Sequence, residues 1–178
     1  GRGGGGDSRE DPNPGLVAST ASPWPLNSMP RRELKDPRQV ADWLAELSRQ
    51  LHQPAPMILI GSGALLWHAF QRGITEPLPE SSMDVDPVTD SDEVARLCYD
   101  ALIGSEFEQH HGWHVNLMPG SVLRELPSGW DARASSMNYG QLMVTVPSPI
   151  DLLAPKLRRN EPRDRAHHAW AKRIGLID

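Results

Sequence analysis

"ILIGSGALLWHAF", residues 58–70, followed after a gap by "SSMDVDP", residues 81–87, is the stretch on which the fold turns. Residues 57–60 form a continuous apolar run with prolines before it and a glycine after it, the pattern of a short strand buried on both faces. "ALLWHAFQ", 64–71, then reads as a helix ending at Gly73. "MDVD", 83–86, alternates as a strand does, and Pro87 is expected to stop it at a sheet edge.

The flanking sequence extends this alternation in both directions. "DPRQVADWLAELSRQL", 36–51, has Asp36 as N-cap, Pro37 at the first helical position and Gln39 placed to close a capping box. Val40, Trp43, Leu44, Leu47 and Leu51 make one apolar stripe, so this is an amphipathic helix. Downstream, "SDEVARLCYDAL" carries a Ser91 cap and acids in its first turn, which favours a helix. "WHVNLM", 113–118, and "QLMVTV", 141–146, alternate as strands, with turn material in "LPSGW" between them. "SPIDLLAPKLRR", 148–159, opens with a cap-Pro-x-Asp signature and is expected to kink or restart at Pro155. "RDRAHHAWAKRIG" makes a last helix closed by Gly175. The expected fold class is α/β or α+β, a small mixed sheet flanked by helices, with helices at the C-terminus.

Composition sets outer bounds. A chain of 178 residues is about one domain. Residues 1–28, rich in Gly, Pro, Ser and Asn, lack any apolar period and are expected to be a disordered lead, with the natural start at Met29 and a single domain over 29–178. No secretory pattern and no run of eighteen apolar residues occurs, so the expectation is a soluble, cytoplasmic protein without a membrane partner. The net charge of −5 argues against a protein that coats nucleic acid. That charge is uneven: 76–108 is acid-rich, whereas 156–173 is basic, and the two facing each other would make a cleft suited to a polyanion held through metal. Cys98, the single cysteine, lies on an apolar helix face and reads as a buried structural thiol.

Chemistry enters with the opening stretch. A strand that delivers Gly61-Ser62-Gly63 into a helix offers backbone N–H groups and a positive dipole end to an anion, and the glycines let a phosphate come close. The turn alone also suits an ordinary glycine bend, and it fails the dinucleotide fingerprint because Leu66 stands where a third glycine belongs. Asp84 and Asp86 project to one face of a strand, close enough to share a divalent cation; they equally suit a solvated edge.

In combination these pieces resemble the nucleotidyltransferase superfamily. More narrowly, "LIGSGALLWHAF", "SSMDVD" and "SPIDLLAPKLRRNEPRDRAHHAW" are similar to the AbiE-type toxins and related bacterial nucleotidyltransferase-like proteins, over roughly 57–177. The resemblance implies a nucleotidyltransferase palm in which Gly61, Ser62 and Gly63 meet the phosphates of a nucleoside triphosphate. It implies that Asp84 and Asp86 carry Mg²⁺ or Mn²⁺, and that Lys156 approaches the phosphates or the departing pyrophosphate. The implied reaction passes a nucleotide to a hydroxyl of RNA or protein, with an antitoxin as a further partner.

The sequence also departs from that pattern. Superfamily enzymes carry a third carboxylate on a following strand, and the residue in that register is Asn116, whose amide oxygen is a metal ligand but not a base. A catalytically degenerate nucleotide-binding or interaction module is therefore the alternative. Glu76 and Glu80 would repel a triphosphate unless they point away, and Asp131 is the nearest downstream aspartate. His110, His111 and His114 read as solvated turn residues, His167 and His168 as part of a basic phosphate-facing surface, and Trp113 and Trp130 as core closures that could otherwise stack a base.

Overall fold

The computed structural model describes residues 33–178, so the expectations for the 1–28 lead and the Met29 start lie outside the described residues. From Leu34 onward the buried apolar side chains form one core that runs to Leu176. Helix α1 (Pro37–Arg49) begins as its sequence dictates: the Asp36 side chain accepts from Arg38 N, and Gln39 Oε1 accepts from Asp36 N at 2.8 Å. Its stripe of Val40, Trp43, Leu44 and Leu47 is buried.

The sheet has five strands in the order β3-β2-β1-β5-β4: β1 (Ala55–Ile60), β2 (Asp84–Val88), β3 (His114–Val115), β4 (Ser135–Tyr139) and β5 (Leu142–Val146). β1 pairs antiparallel with β2 and parallel with β5; β2 pairs parallel with β3, and β4 antiparallel with β5. The sheet is mixed, as the sequence implied.

Helices α2 (Gly61–Gln71), α3 (Asp92–Tyr99), α4 (Glu106–His111), α5 (Trp130–Arg133), α6 (Pro149–Arg159) and α7 (Pro162–Arg173) complete the order, with a 3-10 turn over Gly120–Glu125. α2 is buried along almost its whole length, from Ser62 to Ala69. Trp67 Nε1 donates to the Tyr139 hydroxyl at 2.9 Å, and His68 Nε2 lies 2.7 Å from the Pro147 carbonyl oxygen. These two polar bonds tie the central helix to both ends of the β4–β5 hairpin.

Several expectations need correction. β1 is not buried on both faces: Met57 and Leu59 face the core, but Pro56 is exposed and Ile58 half-buried, because that side of the sheet is left partly open. Pro87 does not stop β2; it sits inside the strand opposite Leu59. Its carbonyl accepts from Met118 N at 2.9 Å. Since a strand residue's N–H and C=O project to the same side, the missing N–H falls where the β2–β3 ladder has already ended. "WHVNLM" supplies only two ladder residues. Pro155 lies within α6, which continues as one element to Arg159. His110 and His111 form the last turn of α4, capped by Gly112 at φ 77°, and are partly buried, with His111 stacked on Phe107.

Candidate active site

The site begins where β1 meets α2. The helix starts at Gly61, directly after Ile60, three residues earlier than the sequence suggested, and no side chain caps its first turn. Its leading N–H groups therefore open toward whatever lies beyond the end of β1. Gly61 has φ +76°, and a Cβ built there would fall 2.4 Å from Asp86 Oδ2. Only glycine lets the second aspartate approach the helix terminus this closely. Gly63 differs: a Cβ there would meet Val85 Cγ2 at 3.2 Å, so its missing side chain serves the packing of α2 on β2, and Gly63 does not line the cleft.

β2 presents Asp84 and Asp86 on one face, both partly buried and both lining the cleft. The Asp86 carboxyl is pushed up to about 7, first by burial and next by the neighbouring Asp84 carboxylate. Asn116, Lys156 and Arg159 pull in the opposite direction. Asn116 stands next to Asp86, as its register predicted: its N–H bonds Val85 O at 2.7 Å and its Nδ2 donates to Asp86 Oδ1 at 3.1 Å. Turned this way, Asn116 serves the second aspartate as a donor, and its ligand oxygen is not the atom facing the carboxylate.

The third wall comes from α6 and α7. α6 is fixed by Ser148, whose hydroxyl donates to Asp151, and by Arg133, which clamps both oxygens of Asp151 at 2.9 Å. It delivers Lys156, only 6% exposed, to the base of the cleft. Lys156 Nζ donates to Ser62 Oγ at 2.9 Å, and lies 3.3 Å from His167 Nδ1 and 3.7 Å from Asp164 Oδ1. Burial lowers the Lys156 pKa, and the Asp164 carboxylate opposes that shift. Asp164 is itself held at about 2, chiefly by Arg159, whose Nε and Nη2 reach its two oxygens at 2.8 and 2.7 Å.

Gly61, Ser62, Asp84, Asp86, Asn116 and Lys156 thus converge on one cavity of about 320 Å³, joined by Arg159 and Arg163. This size falls within the range of about 300–1,000 Å³ usual for small-molecule sites. Glu76 is drawn off by an ion pair with Arg173, and neither it nor Glu80 lines the cleft; Glu125 is the glutamate that does, and Asp131 stays outside. The acid-rich and basic halves do face each other here. Trp113 is a core residue, 1% exposed, packed edge-on to Trp43 and Phe107.

His167 is the residue the sequence reading misplaced. It is fully buried behind the cleft, its Nδ1 3.2 Å from Ser62 Oγ and its Nε2 3.0 Å from the Glu80 carbonyl oxygen. No local signal marks it: Lys156 stands on α6 and His167 on α7, separated by the left-handed cap Asn160, and only the packing of the two helices brings them together.

Among the described residues no group of three or more His, Cys, Asp or Glu side chains is arranged to hold a metal ion. The donor set nevertheless fits Mg²⁺ or Mn²⁺ bound together with a phosphate substrate. Such ions take hard oxygen ligands and are commonly held by one or two carboxylates plus substrate oxygens. Two crowded carboxylates, one with a raised pKa, make a site that a divalent cation would relieve. Cys98 plays no part: it is buried, and burial pushes its thiol up to about 12.

A family model described as "Nucleotidyltransferase of unknown function (DUF6036)" matches residues 38–176. Comparison with curated proteins returns no match, and comparison with solved structures returns none.

Proposed function

The chain belongs to this family of nucleotidyltransferases of unknown function, and on that premise we propose that it moves a nucleotide from a nucleoside triphosphate to a hydroxyl of RNA or protein, in a metal-dependent reaction. The observation that carries the reading is the convergence of an uncapped helix N-terminus at Gly61-Ser62, a carboxylate pair at Asp84 and Asp86, and buried Lys156 on one cleft. Asp84 and Asp86 would hold the ion, which when bound supplies charge neutralisation at the phosphates. The first-turn N–H groups of α2 and the Ser62 hydroxyl bind phosphate oxygens. Lys156 stabilises charge on the departing pyrophosphate.

In the reaction the acceptor oxygen attacks the α-phosphorus in line, forming one P–O bond as the bond to pyrophosphate breaks. Asn116 has no basic atom, so the acceptor's proton passes to water. Arg124, Arg158 and Arg159 line an adjoining hollow, which supports an acceptor that carries phosphates of its own, namely RNA. The similarity to AbiE-type proteins extends the proposal to a toxin restrained by an antitoxin.

Incubation with labelled nucleoside triphosphates, Mg²⁺ or Mn²⁺ and total RNA tests the proposal. Label should move to RNA, and the double change Asp84→Ala, Asp86→Ala should lower transfer by at least about a hundredfold. Undiminished transfer by the double variant would sink the mechanism. Asn116 favours a second reading, a member that binds nucleotide without turning it over; magnesium-dependent binding with no transfer to RNA or protein would select it.

A further inference from the structure

The polar knot behind the cleft contains more donors than it can satisfy. His167 Nε2 lies 3.0 Å from the Glu80 carbonyl, which only accepts, so Nε2 carries the proton. A second proton on Nδ1 would put an imidazolium 3.3 Å from the Lys156 ammonium, with both groups buried. Nδ1 is therefore a bare acceptor with a single in-plane lone pair. Two donors compete for it: the Ser62 hydroxyl at 3.2 Å and Lys156 Nζ at 3.3 Å. The Ser62 oxygen is already an acceptor, taking an N–H from Lys156 at 2.9 Å.

Glu80 is built for this contact. Among the described residues it is one of two non-glycines with positive φ, at +48°, a conformation that costs energy and persists where surrounding bonds fix it. Those bonds are present on either side, Leu78 N to Lys35 O at 2.8 Å and Ser82 N to Leu34 O at 3.1 Å. The segment between them turns the Glu80 carbonyl inward onto His167.

We propose that His167 is a positioning residue for the phosphate site: its Nδ1 takes an N–H of Lys156, which locks the ammonium in place and releases the Ser62 hydroxyl proton to a phosphate oxygen in the cleft. The Glu80 carbonyl sets the histidine tautomer that makes this possible. This rests on the nucleotidyltransferase reading for its ligand, but the tautomer and the bonding order are properties of the free protein.

Two measurements test it. In the first, ¹⁵N spectra of the histidines in the ligand-free wild type should show His167 as the Nε2–H tautomer with unprotonated Nδ1 between pH 6 and 8. A protonated Nδ1 overturns the proposal, whatever the protein's activity. The second is a double-mutant cycle read by binding of Mg²⁺-nucleoside triphosphate and by the KM and kcat of transfer. His167→Phe should weaken nucleotide binding and raise KM about tenfold or more, with kcat changed less. Adding Ser62→Ala to it should cost less than the sum of the two single changes, since both remove an acceptor that holds the Lys156 ammonium. His167→Asn, which returns an acceptor oxygen near Nδ1, should recover most of the loss. Wild-type KM in His167→Phe, or full additivity with Ser62→Ala, would overturn the proposal. If the wild type bound no nucleotide at all, the proposed function would fail, while the tautomer would still be decided by the spectra.

Discussion

At the scale of single residues, Gly61 and Asp86 set the geometry of the cleft together. Replacing Gly61 with Ala places a Cβ on a positive-φ residue and drives it against Asp86 Oδ2. The expected cost is about 1–3 kcal/mol of stability, measured by denaturant unfolding, together with loss of nucleotide binding. Asp86 also gives the ligand-free protein a pH signature. Its folded pKa of about 7 exceeds the ordinary 3.8, so between those values the folded state binds more protons than the unfolded one. Its contribution to stability is then lost as pH rises through that window. Asp164, held at about 2, acts in the opposite sense and contributes stability that disappears only as pH falls below about 4 toward 2. Thermal unfolding of wild type and Asp86→Asn from pH 4 to 8 should show a falling Tm in the former and a flatter profile in the latter. Equal slopes would mean that Asp86 is not buried as described.

At the scale of elements, the site depends on α7 backing α6. Asp164 binds Arg159 through both oxygens, accepts from Glu161 N at 3.3 Å, and lies near Lys156. Asp164→Ala should cost about 1–3 kcal/mol, since it strips partners from buried or part-buried groups. It should also weaken nucleotide binding by freeing Lys156, read by calorimetry.

Elements differ in how far sequence alone could reveal them. α1 was legible because its stripe and capping box are local signals, and β2 because alternate aspartates mark a strand face. β4 was not: "SSMNY" has no apolar alternation, since it is an edge strand exposed along most of its length. α4 is six residues long, too short to show a period. The exact start of α2 was hidden because Gly-Ser-Gly reads as a turn, and only the close approach of Asp86 and Val85 explains why glycines stand at 61 and 63. His167 was misplaced for a different reason. Adjacent basic residues suggest a solvated surface, and its burial depends on Ser62 and Glu80, which lie about a hundred residues away in the chain.

At the scale of the whole molecule, a chain of net charge −5 sets Lys156, Arg159 and Arg163 across a single cleft from Asp84 and Asp86. The order of the sheet brings this about. β1 is central, α2 leaves from its end, antiparallel β2 brings Asp84 and Asp86 beside that exit, and α6, which follows β5 on the other side of β1, returns Lys156 to the same end. Among the described residues no helix is long and apolar enough to cross a membrane. The central claim is that this end of the sheet is a metal-dependent nucleotide site, and the most direct measurement is calorimetric titration of the full chain with each of the four common nucleoside triphosphates, with and without Mg²⁺. Saturable binding of at least one nucleotide, dependent on the metal and lost in Asp84→Ala, Asp86→Ala, is the expected result. Binding of none of the four in the presence of Mg²⁺ or Mn²⁺, or binding that the double variant retains, would contradict it.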